Sequence, residues 1–95
     1  MPYIPKERRK ELDDAIDALN NVLISQPGEY NYVITRLIHN YAVSCERGPC
    51  YQTFNDIVGL LECAKAEFIR TVVSPYEDEK IELNGYVSDL DKNNR

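Results

Sequence analysis

Apolar residues recur at steps of three and four along residues 6–25. Leu12, Ala15, Ile16, Leu19, Val22 and Leu23 fall on one side, and Asp13, Asp14, Asp17, Asn20 and Asn21 on the other. That period is the turn of an α-helix, and it predicts a first amphipathic helix over those residues. Pro2 and Pro5 hold the preceding residues extended. Gln26-Pro27-Gly28 breaks the chain. A second helix is expected over residues 29–44, with Tyr30, Val33, Ile34, Leu37, Ile38 and Tyr41 on one face and Asn31, Thr35 and Arg36 on a polar stripe.

After a loop over residues 45–51, with Arg47-Gly48-Pro49 as its breaker, Thr53-Phe54-Asn55-Asp56 has the form of a capping box. It predicts a third helix whose stripe is Phe54, Ile57, Val58, Leu61, Ala64, Phe68 and Val72. Ser74-Pro75 predicts that this helix stops and a fourth begins, with Ser74 as its cap and Glu77, Asp78 and Glu79 at the positive end of its dipole. Asn84-Gly85 stops the fourth helix. The expected architecture is all-α: three main helices and a short C-terminal one, in a helical hairpin or bundle. It forms one domain over residues 1–86 with a loose polar tail over 87–95.

Ninety-five residues, 43% of them hydrophobic and none Trp, make one thin core. Association with further copies is a common way to complete such a core, so a homo-oligomer is expected. The net charge of −5 argues against duplex nucleic acid as a partner. No apolar run approaches the roughly 18 residues a membrane span needs. The N-terminus has no apolar signal region, and a cytoplasmic location is the expectation.

The residues that carry chemistry are sparse. Three cysteines (Cys45, Cys50 and Cys63) read as reduced thiols, with Cys63 in the core and the other two flanking a loop. A zinc site built from them and His39 lacks the tight ligand pairs that zinc favours, so no metal and no cofactor are expected. His39 has no evident acid–base partner, and no catalytic residue is assigned. Seven tyrosines are an excess. Tyr30, Tyr41 and Tyr51 suit half-buried positions, whereas Tyr32, Tyr51 or Tyr76 can stack on a base. Arg36, Arg47 and Arg70 are forked cations suited to phosphate, or else to surface ion pairs.

Met1-Pro2-Tyr3-Ile4, Pro27-Gly28-Glu29-Tyr30-Asn31-Tyr32, the run from Gly59 to Phe68, and Pro75-Tyr76-Glu77-Asp78-Glu79-Lys80 with Asn84-Gly85 resemble a family of short helical proteins from bacteria and their phages. The resemblance covers most of residues 1–86. The segment after Asn84-Gly85 departs from the family pattern, which leaves the tail without a role. A looser similarity, in size, helical hairpin and excess of Tyr, Asn and Arg, is to phage anti-defence sponges. These are small oligomeric cytosolic proteins that hold cyclic dinucleotides or ADP-ribose-type signals between subunits.

That similarity implies a non-enzymatic protein that sequesters a nucleotide-type immune signal, in phage counter-defence. The ligand-binding residues assigned are Asn31, Tyr32, Arg36, Arg70 and Tyr76. One alternative is an all-α Mg²⁺-dependent nucleotide pyrophosphohydrolase of the MazG type. Its paired carboxylates are not matched here: Glu62 and Glu67 are five apart and turn onto different faces, while the pair Asp13 and Asp17 has no evident counterpart. The other alternative is a protein–protein adaptor.

Overall fold

The computed structural model describes residues 2–94. Met1, at the head of the expected extended start, and Arg95, the last residue of the expected tail, lie outside them. The described residues form helices and no strand: α1 (Lys6–Asn20), α2 (Pro27–Ser44), α3 (Tyr51–Phe68), a π-helical segment (Ile69–Val73), α4 (Ser74–Asn84) and α5 (Asp89–Asn93). The fold is all-α. Backbone contacts divide the chain into two units, Met1–Leu61 and Glu62–Arg95, with the division inside α3.

In the first unit, the N-terminal segment is tied to α1 by Arg9, whose Nε donates to the Ile4 carbonyl at 2.8 Å. The first helix ends at Asn20, short of the expected residue 25. Its last turn carries Asp17 and no base, so the negative end of the helix dipole meets like charge. The chain leaves through a turn in which the Val22 and Leu23 amides both donate to the Leu19 carbonyl. Pro27 opens α2 at a position where its missing N–H costs no helical bond. The Glu29 carboxylate accepts the Ile24 amide at 2.8 Å and so ties this connection to the first turn of α2.

The third helix does not start at Thr53. It starts at Tyr51, with the Phe54 amide donating to the Cys50 carbonyl at 3.0 Å. Thr53 is therefore helical, and its hydroxyl turns back to the Gly48 carbonyl at 2.8 Å instead of capping forward. The capping-box expectation fails because Gly48, at φ 70°, folds the loop so that this carbonyl lies within the threonine's reach.

The apolar stripes form as the periodicity predicts, yet they are largely uncovered. Among the described residues only Thr53 and Ile57 are buried. Ile16 on α1, Leu37 on α2 and Val58 on α3 are 51%, 60% and 61% exposed. Cys63, expected in the core, is exposed, and so is Tyr51. Leu61 is half-buried. The physical reason is that no two of α1, α2 and α3 lie closely backbone to backbone among the described residues, so the stripes are covered only in part.

In the second unit the expected stop at Ser74 is absent. Helix runs unbroken from the end of α3 through the π segment into α4. Ser74 is helical, at φ −62° and ψ −46°, and its amide donates to the Ile69 carbonyl, one residue further back than in an α-helix. No side-chain cap precedes α4. Pro75 explains the wide turn. It has no N–H for the carbonyl four residues back, and its ring would strike that carbonyl in a regular α-helix. A single π turn moves the carbonyl aside and lets the helix continue.

Asn84-Gly85 ends α4 as expected. Gly85 adopts φ 87°, which an L-side chain rarely tolerates, and its amide donates to the Ile81 carbonyl at 2.7 Å. The tail then forms the short helix α5. The Ser88 hydroxyl accepts the Leu90 amide, while the Asp91 carboxylate accepts the amides of Ser88 and Val87, each at 3.0 Å. Those two backbone bonds, Ser88's the stronger, hold the Asp91 carboxyl below its usual value.

Two outcomes are expected. Pro75→Ala restores an α-helical bonding partner and should stabilise the second unit by about 1–3 kcal/mol. Slower amide exchange across residues 71–76 would show this, and unchanged or faster exchange would mean that Pro75 does not impose the π turn. For α5, the lowered carboxyl of Asp91 means that its contribution is fully present above the ordinary carboxylate range. It is lost as pH falls through the depressed value. Backbone chemical shifts of residues 88–93 should therefore lose helical character only on acidification, and Asp91→Ala should lose it at neutral pH.

Candidate functional site

The most highly constructed polar site lies where α2 hands over to α3, inside the first unit. The Gly48 turn brings the end of α2 and the start of α3 together around one side chain. Thr53, 1% exposed, places its hydroxyl 3.5 Å from Cys45 Sγ and 3.3 Å from Cys50 Sγ, besides its bond to the Gly48 carbonyl. Cys45 Sγ also lies 3.9 Å from the Ala42 carbonyl and 3.7 Å from the Gly48 carbonyl. Arg47 pairs with Asp56 across the loop at 3.5 Å, and Asp56 accepts Gln52 Nε2 at 2.9 Å. Tyr41, Cys45, Glu46, Arg47, Thr53 and Asp56 line a surface cavity of about 380 Å³.

Cys50 is the residue that electrostatics singles out. The Thr53 hydroxyl, with one proton to share between the Gly48 carbonyl and the sulfur, is the main influence that holds its thiol below the usual value. The Thr53 and Gln52 amides at the start of α3 and the Arg47 guanidinium act in the same direction, and partial desolvation opposes them. Donors at a helix N-terminus and a nearby guanidinium stabilise a thiolate in this way.

The residues assigned from the sequence fall into two sets. Asn31, Tyr32 and Arg36 sit on α2 in the first unit, and all three are exposed. Arg36 Nη1 donates to Tyr32 Oη at 3.2 Å, and Thr35 Oγ1 donates to Asn31 Oδ1 at 3.2 Å, so two neighbouring pairs run along the helix at steps of four. Tyr32 also borders a second surface cavity of about 380 Å³ with Val22, Leu23, Gly28, Glu29 and Val33. Arg70 and Tyr76 belong to the second unit. Arg70 pairs with Glu67, and Lys80 Nζ stands 5.3 Å above the Tyr76 ring, a cation–π contact.

Sequence reasoning missed the Cys45–Thr53–Cys50 cluster. Its signal was two cysteines bracketing a Gly-Pro turn, with a threonine three residues after the second. Arg47, a candidate phosphate cation, is engaged with Asp56. Of the carboxylates weighed for Mg²⁺, Glu62 lies 4.0 Å from Lys65, and Glu67 meets Arg70. Among the described residues no three His, Cys, Asp or Glu side chains gather so as to hold a metal ion. No helix among them is long and apolar enough to cross a membrane.

A family profile described as a domain of unknown function, DUF6899, matches residues 1–87. The chain belongs to the DUF6899 family. No curated protein and no solved structure matches it significantly.

Thr53→Val keeps the shape of the side chain and removes the hydroxyl. The Gly48 carbonyl loses its bond, and the first unit should lose about 1–3 kcal/mol, read from chemical denaturation. In the same variant the pH profile of Cys50 alkylation should move upward, because the largest influence holding its thiol low is gone. Unchanged stability and an unchanged profile would mean that the hydroxyl organises neither the loop nor the thiol.

Proposed function

We propose that this chain is a non-enzymatic binding protein that completes its core by associating with copies of itself, and that it sequesters a nucleotide-type ligand in phage counter-defence. The observation that carries the reading is the uncovered apolar surface. The chain exposes 8252 Å². Two separate globules with the residue shares of the two units would expose about 6,700 Å² together, by the area–mass scaling of monomeric proteins. An excess on the order of 1,500 Å² is comparable with the area that stable protein interfaces cover. Its apolar part includes Ile16, Ile34, Leu37 and Val58.

The ligand class follows from the polar stripe of α2. Tyr32 offers a flat ring, and Arg36 commits one of its five donors to the Tyr32 hydroxyl, which leaves the guanidinium fork at the surface beside that ring. A planar base with an anionic phosphate is complementary to this pair. Asn31, one residue before Tyr32, supplies an amide for a base edge. Arg70 and Tyr76, in the second unit, offer a further cation and ring of the same chemistry.

Light scattering at micromolar concentration should give a mass that is a multiple of 11 kDa, and Leu37→Glu should lower it. Calorimetry against cyclic dinucleotides and cyclic ADP-ribose variants should find a binder that is returned intact, and Arg36→Ala should lose it while still folded. A monomeric wild type would overturn the assembly. An oligomer that ignores the whole panel would favour a protein–protein adaptor, and Mg²⁺-dependent hydrolysis of the ligand would favour the pyrophosphohydrolase alternative.

A further inference from the structure

The α2–α3 loop carries two thiols that the proposed binding function does not use. Cys45 is the first residue after α2 and Cys50 the last before α3. Both sulfurs lie within 3.5 Å of the single Thr53 hydroxyl, so their separation cannot exceed twice that distance. Both side chains are half-buried, and so both can be reached from solvent. The intervening turn contains Gly48 at φ 70° with open space around its Cα, which leaves the turn room to adjust as the sulfurs approach.

We infer that Cys45 and Cys50 form a dithiol modification site that closes to an intra-loop disulfide, with Thr53 as the residue that positions both sulfurs. The co-substrate is a low-molecular-weight disulfide, a class represented by oxidised glutathione. The Cys50 thiolate attacks one sulfur of that disulfide. A mixed disulfide forms on Cys50, and the first small thiolate leaves. The Cys45 thiolate then attacks the Cys50 sulfur and expels the second small thiol. Two protein thiols give up two electrons and two protons, the small disulfide becomes two thiols, and the balance is closed.

The order of attack follows from position. Cys50 stands at the N-terminal end of α3, near Arg47, where its thiolate is favoured. Cys45 stands at the C-terminal end of α2, where besides the Thr53 hydroxyl it meets the Ala42 and Gly48 carbonyls, two acceptors. Cys50 is therefore the attacking sulfur and Cys45 the resolving one. The disulfide staples the last turn of α2 to the first turn of α3.

The test uses the full chain with Cys63→Ser, so that two thiols remain. It is treated with oxidised glutathione, the remaining thiols are blocked, and the protein is digested with trypsin without reduction. Cleavage after Arg47 separates the two cysteines, so only a disulfide keeps their peptides together. The expected result is a linked pair of peptides in monomeric chains, a loss of about 2 Da from the intact mass, and a raised melting temperature that returns on reduction. In Cys45→Ser the reaction should stop at a glutathione adduct on Cys50. Thr53→Val should slow closure at least several-fold relative to adduct formation. The inference is overturned if both thiols are alkylated after oxidation, if the link joins two chains, or if Cys45→Ser places the adduct nowhere. None of these results depends on whether the protein binds a nucleotide.

Discussion

One hydroxyl organises the junction of α2 and α3 in the first unit. The Thr53 side chain is the most buried group described, and it bonds to the Gly48 carbonyl, two residues before the loop ends. A backbone carbonyl withdrawn from water in a tight turn must find a donor, and here the donor comes from the helix that the turn leads into. The bond fixes where α3 begins, and so where Ile57 falls one turn later as the buried apolar residue of that helix. It also fixes how Cys45, Cys50, Arg47 and Asp56 face one another. The polar site and what core there is share this single support.

The uncovered stripes are a second constraint. A helix in a small domain gains most of its stability from an amphipathic face laid against a neighbour. Among the described residues α1, α2 and α3 each have such a face, and no two of them lie closely backbone to backbone. At roughly 25 cal/mol per Å², apolar surface left in water is a strong drive toward association. The half-exposed tyrosines fit that setting, since a ring with a polar tip tolerates both water and contact.

Helix periodicity made the all-α class legible, because a step of three or four is a local property that survives any tertiary arrangement. The breaks at Gln26-Pro27-Gly28, Arg47-Gly48-Pro49 and Asn84-Gly85 were legible for the same reason. Burial was not. Whether Leu37 or Val58 is covered depends on a facing surface that spacing does not encode. Ser74 and Thr53 were misread as caps because Ser/Thr before a helical stretch is ambiguous. A hydroxyl bonds whichever backbone group the fold presents, and at Thr53 that group lies behind. The assigned site was legible as the adjacent pairs of α2, a local feature. The thiol cluster required knowing that a six-residue loop folds back on itself.

The π turn has a consequence for phase. An α-helix advances each side chain by about 100° per residue, whereas one wide turn adds a residue without completing an extra revolution. Side chains after Val73 are therefore rotated relative to the pattern set before Ile69. A stripe counted straight through from Phe68 toward Ile81 drifts off its line. Within the second unit the segment works as an angular spacer: removing a single residue from 69–73 would bring the pattern before Ile69 and that after Val73 into register, and it would turn every face of α4 toward a different direction.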